Sequence, residues 1–257
     1  MNCRVINISS GKGGVGKTTL AINIGWILAE IFKKSVTIVD CNITTSHLGL
    51  YLGIYYSPVT LNRILRGEAS IEEATHMYSQ NLKIIPASNS VSDMVGVDII
   101  SLGEVLSKMR EQNDIVILDS APGLGRESLA SLKFSDEVIF VTQPYLPSVM
   151  DIVRAYQEIR YTSIKPLGIV LNMVFNDRFE MNDREIEQIT ELPIIAKIPF
   201  DKNMRRSSYF LIPLASLHKN SKSVKEILKL SAFIVGEKYK EEKLIQKIFS
   251  RIKKIFY

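Results

Sequence analysis

Seven short runs of apolar and β-branched residues punctuate the chain: RVINIS, SVTIVD, LKIIPA, DIVILD, EVIFVT, GIVLNMV and PIIAKI. They are apolar on both faces rather than strictly alternating, which is the pattern of a strand covered from both sides. Spacers of about 20 residues separate most of them and carry longer helical patterns, the first being TTLAINIGWILAEIF. Buried strands joined by long crossovers pair in parallel, because a tight hairpin cannot return the chain in the same direction. The pattern therefore predicts an α/β fold, a doubly wound, mostly parallel sheet flanked by helices. Ligands are expected at the carboxyl ends of its strands.

The chain has 257 residues and nothing resembling a flexible interdomain linker, so one large domain is the simpler expectation. Its 46% apolar and 23% charged residues are ordinary for a globular protein in water, and no run approaches the roughly 18 apolar residues of a spanning helix. The opening MNCRVINISS lacks the basic-then-apolar layout of a secretory signal. Cys3 and Cys41 are far apart and have no C-x-x-C companion, which fits a reducing cytosol and offers no metal site. A cytoplasmic protein is expected. Charge changes the picture once it is located: residues 238–257 carry seven Lys/Arg against two Glu, while the first 237 residues hold 25 basic and 25 acidic side chains. The chain divides into a neutral body, 1–237, and a basic tail, 238–257.

The candidate chemistry begins immediately after the first predicted strand, in SGKGGVGKTT, Ser10 to Thr19. Gly11, Gly16, Lys17 and Thr18 fit G-x-x-x-x-G-K-[ST]. Gly11, Lys12, Gly13, Gly14, Val15, Gly16, Lys17, Thr18 and Thr19 would wrap phosphates with backbone amides at a helix N-terminus. Lys17 would neutralise phosphate charge, and Thr18 would offer a hydroxyl to Mg²⁺. Asp119, at the end of DIVILD and followed by SAPG, is a candidate second metal ligand, with a helix cap as the alternative role. One lysine suffices for the phosphates, so Lys12 asks for a separate explanation.

GKGGVGKTT resembles the deviant Walker A loop of the MinD/ParA family of ATPases, a SIMIBI-type P-loop NTPase group. The resemblance implies ATP and Mg²⁺ as ligands, and a homodimer in the ATP state in which Lys12 reaches the other subunit's nucleotide. It continues through VTIVDCN, LDSAPG, FSDEVIFVTQP and IPFDKNMRRSSYFLIPLASL, and it makes Asn172, Pro199 and Asp201 candidate adenine contacts. Asn172 also reads as a turn residue at a strand end. One position departs from the family. Its members usually end the second strand D-x-D, whereas this chain has Asp40, Cys41 and Asn42. Asp40 is expected to support the metal and its water shell. Asn42 stands where a water-positioning carboxylate would be, and an amide cannot take up a proton at neutral pH. Slow hydrolysis with intact ATP binding is the expectation.

The tail segment EKLIQKIFSRIKKIFY has helical periodicity. At about 100° per residue, Leu244, Ile245, Ile248, Phe249, Ile252, Ile255 and Phe256 fall within an arc of about 140°. Lys243, Lys247, Arg251, Lys253 and Lys254 take the opposite side. A basic amphipathic helix of this kind suits an anionic membrane surface, the alternative being a terminal helix packed on its own domain or on a protein partner. MinD-type members carry a similar C-terminal helix. The expectation is therefore a MinD-like switch, peripheral on the inner face of the cell membrane, that positions a division or other polar machine through unidentified protein partners. A ParA-like partition protein binding DNA is the second reading, disfavoured by the neutral body, and a flagellum-number regulator of the FlhG type is the third. Two isolated cysteines argue against the iron–sulfur relatives of the loop, and no acceptor pocket for a metabolic kinase is readable.

Overall fold

The computed structural model describes residues 3–237. The apolar set of the tail, Leu244 to Phe256, lies outside the described residues. Eight strands form one sheet: β1 (Arg4–Ser9), β2 (Val36–Asp40), β3 (His76–Met77), β4 (Leu82–Ile85), β5 (Ile115–Asp119), β6 (Glu137–Thr142), β7 (Lys165–Val174) and β8 (Ile194–Pro199). Their order is β3-β4-β2-β5-β1-β6-β7-β8, and every pairing is parallel except β3 with β4. The predicted doubly wound α/β architecture is the one observed.

The helices are α1 (Lys17–Glu30), α2 (Leu48–Tyr51), α3 (Leu61–Leu65), α4 (Ile71–Ala74), α5 (Leu102–Met109), α6 (Arg126–Lys133), α7 (Leu146–Ile159), α8 (Asp183–Thr190), α9 (Asn203–Phe210), α10 (Leu214–Leu217) and α11 (Lys222–Ile234). On one face of the sheet, α1 and α11 bury Leu20, Ile24, Ile27 and Ile227 against Ile6, Ile8, Ile38 and Ile117. On the other, α3 and α5 cover Val5, Val39 and Val116, while α7 and α8 cover Val138, Phe140 and Leu171. Helix α1 is apolar nearly all round because it lies between the sheet and α10 and α11, so its sequence shows little amphipathic contrast.

Two features depart from the sequence expectation. The crossover from β2 to β4 is not one helix but α2, α3 and α4, with Gly53 and Gly67 at positive φ between them and a Ser70–Glu73 capping box starting α4. Strand β3 has only two residues, too few to show a period, and closes one sheet edge by antiparallel pairing of His76 with Ile84. Both cysteines are buried, as their small apolar character suggests.

Candidate functional site

The strand order places the carboxyl ends of β1, β2 and β5 side by side, and the residues that follow them converge there. In register, Ile8 of β1 pairs with Asp119 of β5, and Asp119 pairs with Asp40 of β2. Two carboxylates thus stand at adjacent strand ends, directly beside the loop that leaves β1 at Ser10. The loop is held from three directions. Gly123 N donates to Ser10 O at 3.1 Å, and Asn172 Nδ2 donates to Val15 O at 2.7 Å. Gly11 packs so tightly on α7 that a Cβ there would lie 2.0 Å from Asp151 Cβ.

Gly16 shows why the loop needs glycine. It takes φ +94°, in the left-handed region open to few side chains, and a Cβ would fall 2.3 Å from Asn172 Nδ2. This conformation turns the chain from the loop into α1, whose N-terminal amides have no side-chain cap. Uncapped amides at a helix start, together with the glycine-rich turn, form an anion cradle. Gly13, Gly14 and Lys12 are exposed along it, Thr18 and Thr19 are half-buried, and Val15 is anchored in the core at 1% exposure.

The two loop lysines differ completely. Lys17 is the only buried lysine among the described residues, at 7% exposure, and its Nζ donates to Ser10 Oγ at 2.7 Å. Burial lowers its pKa, and the charge of Asp119 opposes that shift. Lys12 is exposed and makes no ion pair with any described residue.

The acids also differ. Asp119 is buried, its Oδ1 has no hydrogen-bond partner, and its pKa is pushed up to about 7 by burial and by the neighbouring charge of Asp40. The Thr18 hydroxyl and Lys17 pull it back only in part. Asp40 is fully occupied: Oδ1 accepts from Asn42 N at 3.0 Å, and Oδ2 accepts from Ser46 Oγ at 2.7 Å and Leu48 N at 3.2 Å. Burial raises its pKa despite these bonds. An orphaned carboxylate oxygen beside a threonine hydroxyl is a hard-oxygen donor set that fits Mg²⁺. Asp40, with its oxygens already bonded, fits the supporting position. Among the described residues there is no group of three or more His, Cys, Asp or Glu that could hold a metal by itself.

The sign of the Asp119 effect follows from proton uptake. Its folded pKa lies above the unfolded value, so between about pH 4 and pH 7 the folded state binds more protons, and stability falls as pH rises. We expect Asp119→Asn to remove this penalty. In metal-free buffer the Tm difference, variant minus parent, should grow from pH 4 to pH 7, and a difference flat across that window would contradict the shift.

Asn42 folds back on its own turn. Its Nδ2 donates to Thr45 O at 2.6 Å, and its Oδ1 accepts from Thr45 Oγ1 at 3.0 Å. Asn172 comes to the loop through a bulge at the end of β7, where Met173 takes φ +56°. Asp201, beyond Pro199, accepts from Asn203 N at 2.8 Å and from the hydroxyls of Ser221 and Ser223. Burial opposes these bonds, but together they hold its pKa below the usual carboxylate range. Asp201 thus ties α9 to α11. Pro199 O accepts from Ser223 Oγ at 3.2 Å in the same junction. Sequence reasoning passed over Ser46 and Ser10, whose hydroxyls seat Asp40 and Lys17. Ser10 was legible as part of the loop stretch, whereas Ser46 lies six residues beyond Asp40 with no motif to mark it.

An AAA-domain family profile matches residues 3–165. An uncharacterised ATP-binding protein of Methanocaldococcus jannaschii is 33% identical over 237 residues, 92% of this chain and 89% of that protein. A virulence-plasmid ParA family protein of Chlamydia psittaci is 33% identical over 260 residues, covering 95% and 98% of the two chains. Among solved structures, the septum site-determining protein MinD of Pyrococcus horikoshii, complexed with Mg-ADP, superposes with a TM-score of 0.85 at 28% identity, covering 90% of this chain and 96% of that one. On the profile match, the 33% identity to a ParA family protein over 95% of this chain and the shared fold with MinD, the chain belongs to the MinD/ParA family of P-loop ATPases.

Proposed function

We propose that this protein is a MinD-like ATPase switch that binds ATP with Mg²⁺, dimerises around the nucleotide and attaches to the cytoplasmic face of the membrane. The observation that carries the reading is the pair of loop lysines, one buried beside Asp119 and one exposed and unpaired at the rim. Lys17 and the amides of Gly11 to Thr19 bind the phosphates. Thr18 and Asp119 would hold Mg²⁺, which would supply neutralisation of phosphate charge, and Asp40 would orient these ligands. Lys12 is directed to the nucleotide of a second copy. Asn172, Pro199 and Asp201 border the adenine. Hydrolysis is slow because Asn42 is bonded to its own turn and has no carboxylate to offer a water.

Residues 1–237 form the ATPase domain, and 238–257 the membrane-targeting segment. One short amphipathic helix binds weakly, and two on a dimer gain from effective concentration, so nucleotide state and membrane attachment are coupled. The role is to position a division or other polar machine through protein partners. No helix among the described residues is long and apolar enough to cross a membrane.

A second reading has its own support. The body is neutral in total but not locally: residues 202–229 hold seven Lys/Arg against Glu226 alone. Lys202, Arg205 and Arg206 are exposed on α9 and the turn before it, and Lys222 is exposed at the start of α11. A concentrated basic face suits DNA phosphates, as in a partition protein.

Co-sedimentation decides between them. The full chain and a chain ending at Lys240 are mixed with phosphatidylglycerol-containing vesicles or duplex DNA, each with Mg-ATP or Mg-ADP. The membrane reading expects vesicle binding that requires ATP and is lost with the tail. DNA binding with no vesicle binding would replace it with the partition reading.

A further inference from the structure

Helix α6 begins directly after the loop that follows Asp119, and Glu127 lies in its first turn. Glu127 is half-buried, yet its Oε2 is sealed from solvent with no hydrogen-bond partner. A buried carboxylate oxygen left open costs stability, and such orphans point to a partner acquired in another state. The candidates are already in place. The Thr44 hydroxyl and the amides of Ile43 and Thr44 face this carboxylate and favour its charged form, while burial and the charge of Asp40 oppose it. Three donors of the turn after β2 therefore stand around this carboxylate, while its Oε2 is left without a partner.

Both sides are built to move as units. The turn is braced internally by the two bonds between Asn42 and Thr45. Helix α6 packs through Ala130 and Leu132 and, alongside them, through hydroxyls: Ser120 Oγ lies 3.0 Å from Ser131 Oγ and 3.3 Å from Ser128 Oγ. On the strand beneath and the helix beside it, Ser9 Oγ, Ser148 Oγ and both amide atoms of Asn7 are buried and unpaired. A seam with spare donors and acceptors lets a helix exchange partners without opening an apolar void.

We propose that Glu127 is a positioning residue that closes onto the Ile43–Thr44 turn when Mg²⁺-nucleotide occupies the loop, joining the segment after Asp40 to the segment after Asp119. The inference rests on the reading of the loop as a nucleotide site. The driving force is electrostatic: offsetting the negative charge at Asp40 removes the repulsion that acts on the Glu127 carboxylate. Closure brings both strand-end acids into one fixed arrangement, so it acts on turnover more than on affinity.

Hydrogen exchange tests it without requiring turnover. Full-length parent, Glu127→Gln and Glu127→Ala proteins are compared with and without Mg²⁺ and a non-hydrolysable ATP analogue. In the parent, the ligand should slow exchange of the 43–44 amides by about tenfold. Glu127→Ala should lose that protection, Glu127→Gln should keep part of it, and the Gly11–Thr19 amides should be protected in all three. Phosphate release should follow: kcat falls about tenfold in Glu127→Ala with KM within about twofold, and the Gln variant recovers most of it. Unchanged protection at 43–44 in Glu127→Ala, with the loop protected, would overturn the closure alone. No protection of the loop in the parent would overturn the nucleotide reading and the closure with it.

Discussion

Lys17→Ala is expected to weaken Mg-ATP binding by at least about 100-fold while the domain stays folded. Lys17 is buried at the start of α1, and its Nζ is fixed on Ser10 Oγ, so the cation is held in place before any ligand arrives. A preorganised charge in a low-dielectric site acts far more strongly on phosphate than an exposed one, because no water needs to be reorganised to let it do so. Its loss also removes the cation that opposes the raised pKa of Asp119, so the acid moves further toward its neutral form and becomes a poorer metal ligand. The fold survives because the turn into α1 is set by Gly16 and by the Asn172 bond to Val15 O, neither of which involves the Lys17 side chain. Calorimetric titration of parent and variant with Mg-ATP reads the effect directly. Affinity within about threefold of the parent would remove Lys17 from the phosphate site.

The second large effect has the opposite sign. Asn42→Asp should raise the rate of ATP hydrolysis by about 10²-fold, at the lower end of the range for placing a general base, with little change in ATP affinity. The asparagine is held by a donor and an acceptor bond to Thr45. An aspartate keeps the bond from the Thr45 hydroxyl but cannot donate to the Thr45 carbonyl, and two oxygens 2.6 Å apart repel. The carboxylate is thereby released from the turn and can face the cradle. The main-chain bond from residue 42 to Asp40 Oδ1 is untouched, so the seat of Asp40 persists. Steady-state phosphate release, with affinity measured separately, checks this. An unchanged rate at unchanged affinity would show that position 42 does not limit turnover.

The loop was legible because its chemistry is local. Gly16, Lys17 and Thr18 are contiguous, and each is there for a reason that acts within one turn of chain: a positive φ, a cation and a hydroxyl. Asp119 was legible for a similar reason, as the last residue of a fully apolar strand run. Helix α1 could be read only by length and context, since a helix buried all round lacks the contrast that periodicity detects. The α2–α4 crossover and the two-residue β3 escaped because they are too short to show a period.

The sequence by itself determined the fold class, the position of the phosphate loop on it and the partition of charge between body and tail. Those properties follow from runs, spacings and counts along the chain. The tertiary structure alone decided which acids differ and how. Asp40 and Asp119 are 79 positions apart in the chain and become register partners only through the insertion of β5 between β1 and β2. Burial and pairing then leave one oxygen of Asp119 open while both oxygens of Asp40 are bonded. The facing of Glu127 toward Thr44, the bracing of the loop by Asn172 and the hydroxyl seam under α6 are long-range in the same way. No spacing rule connects such residues, because the sheet order that brings them together is set by the packing of the whole core.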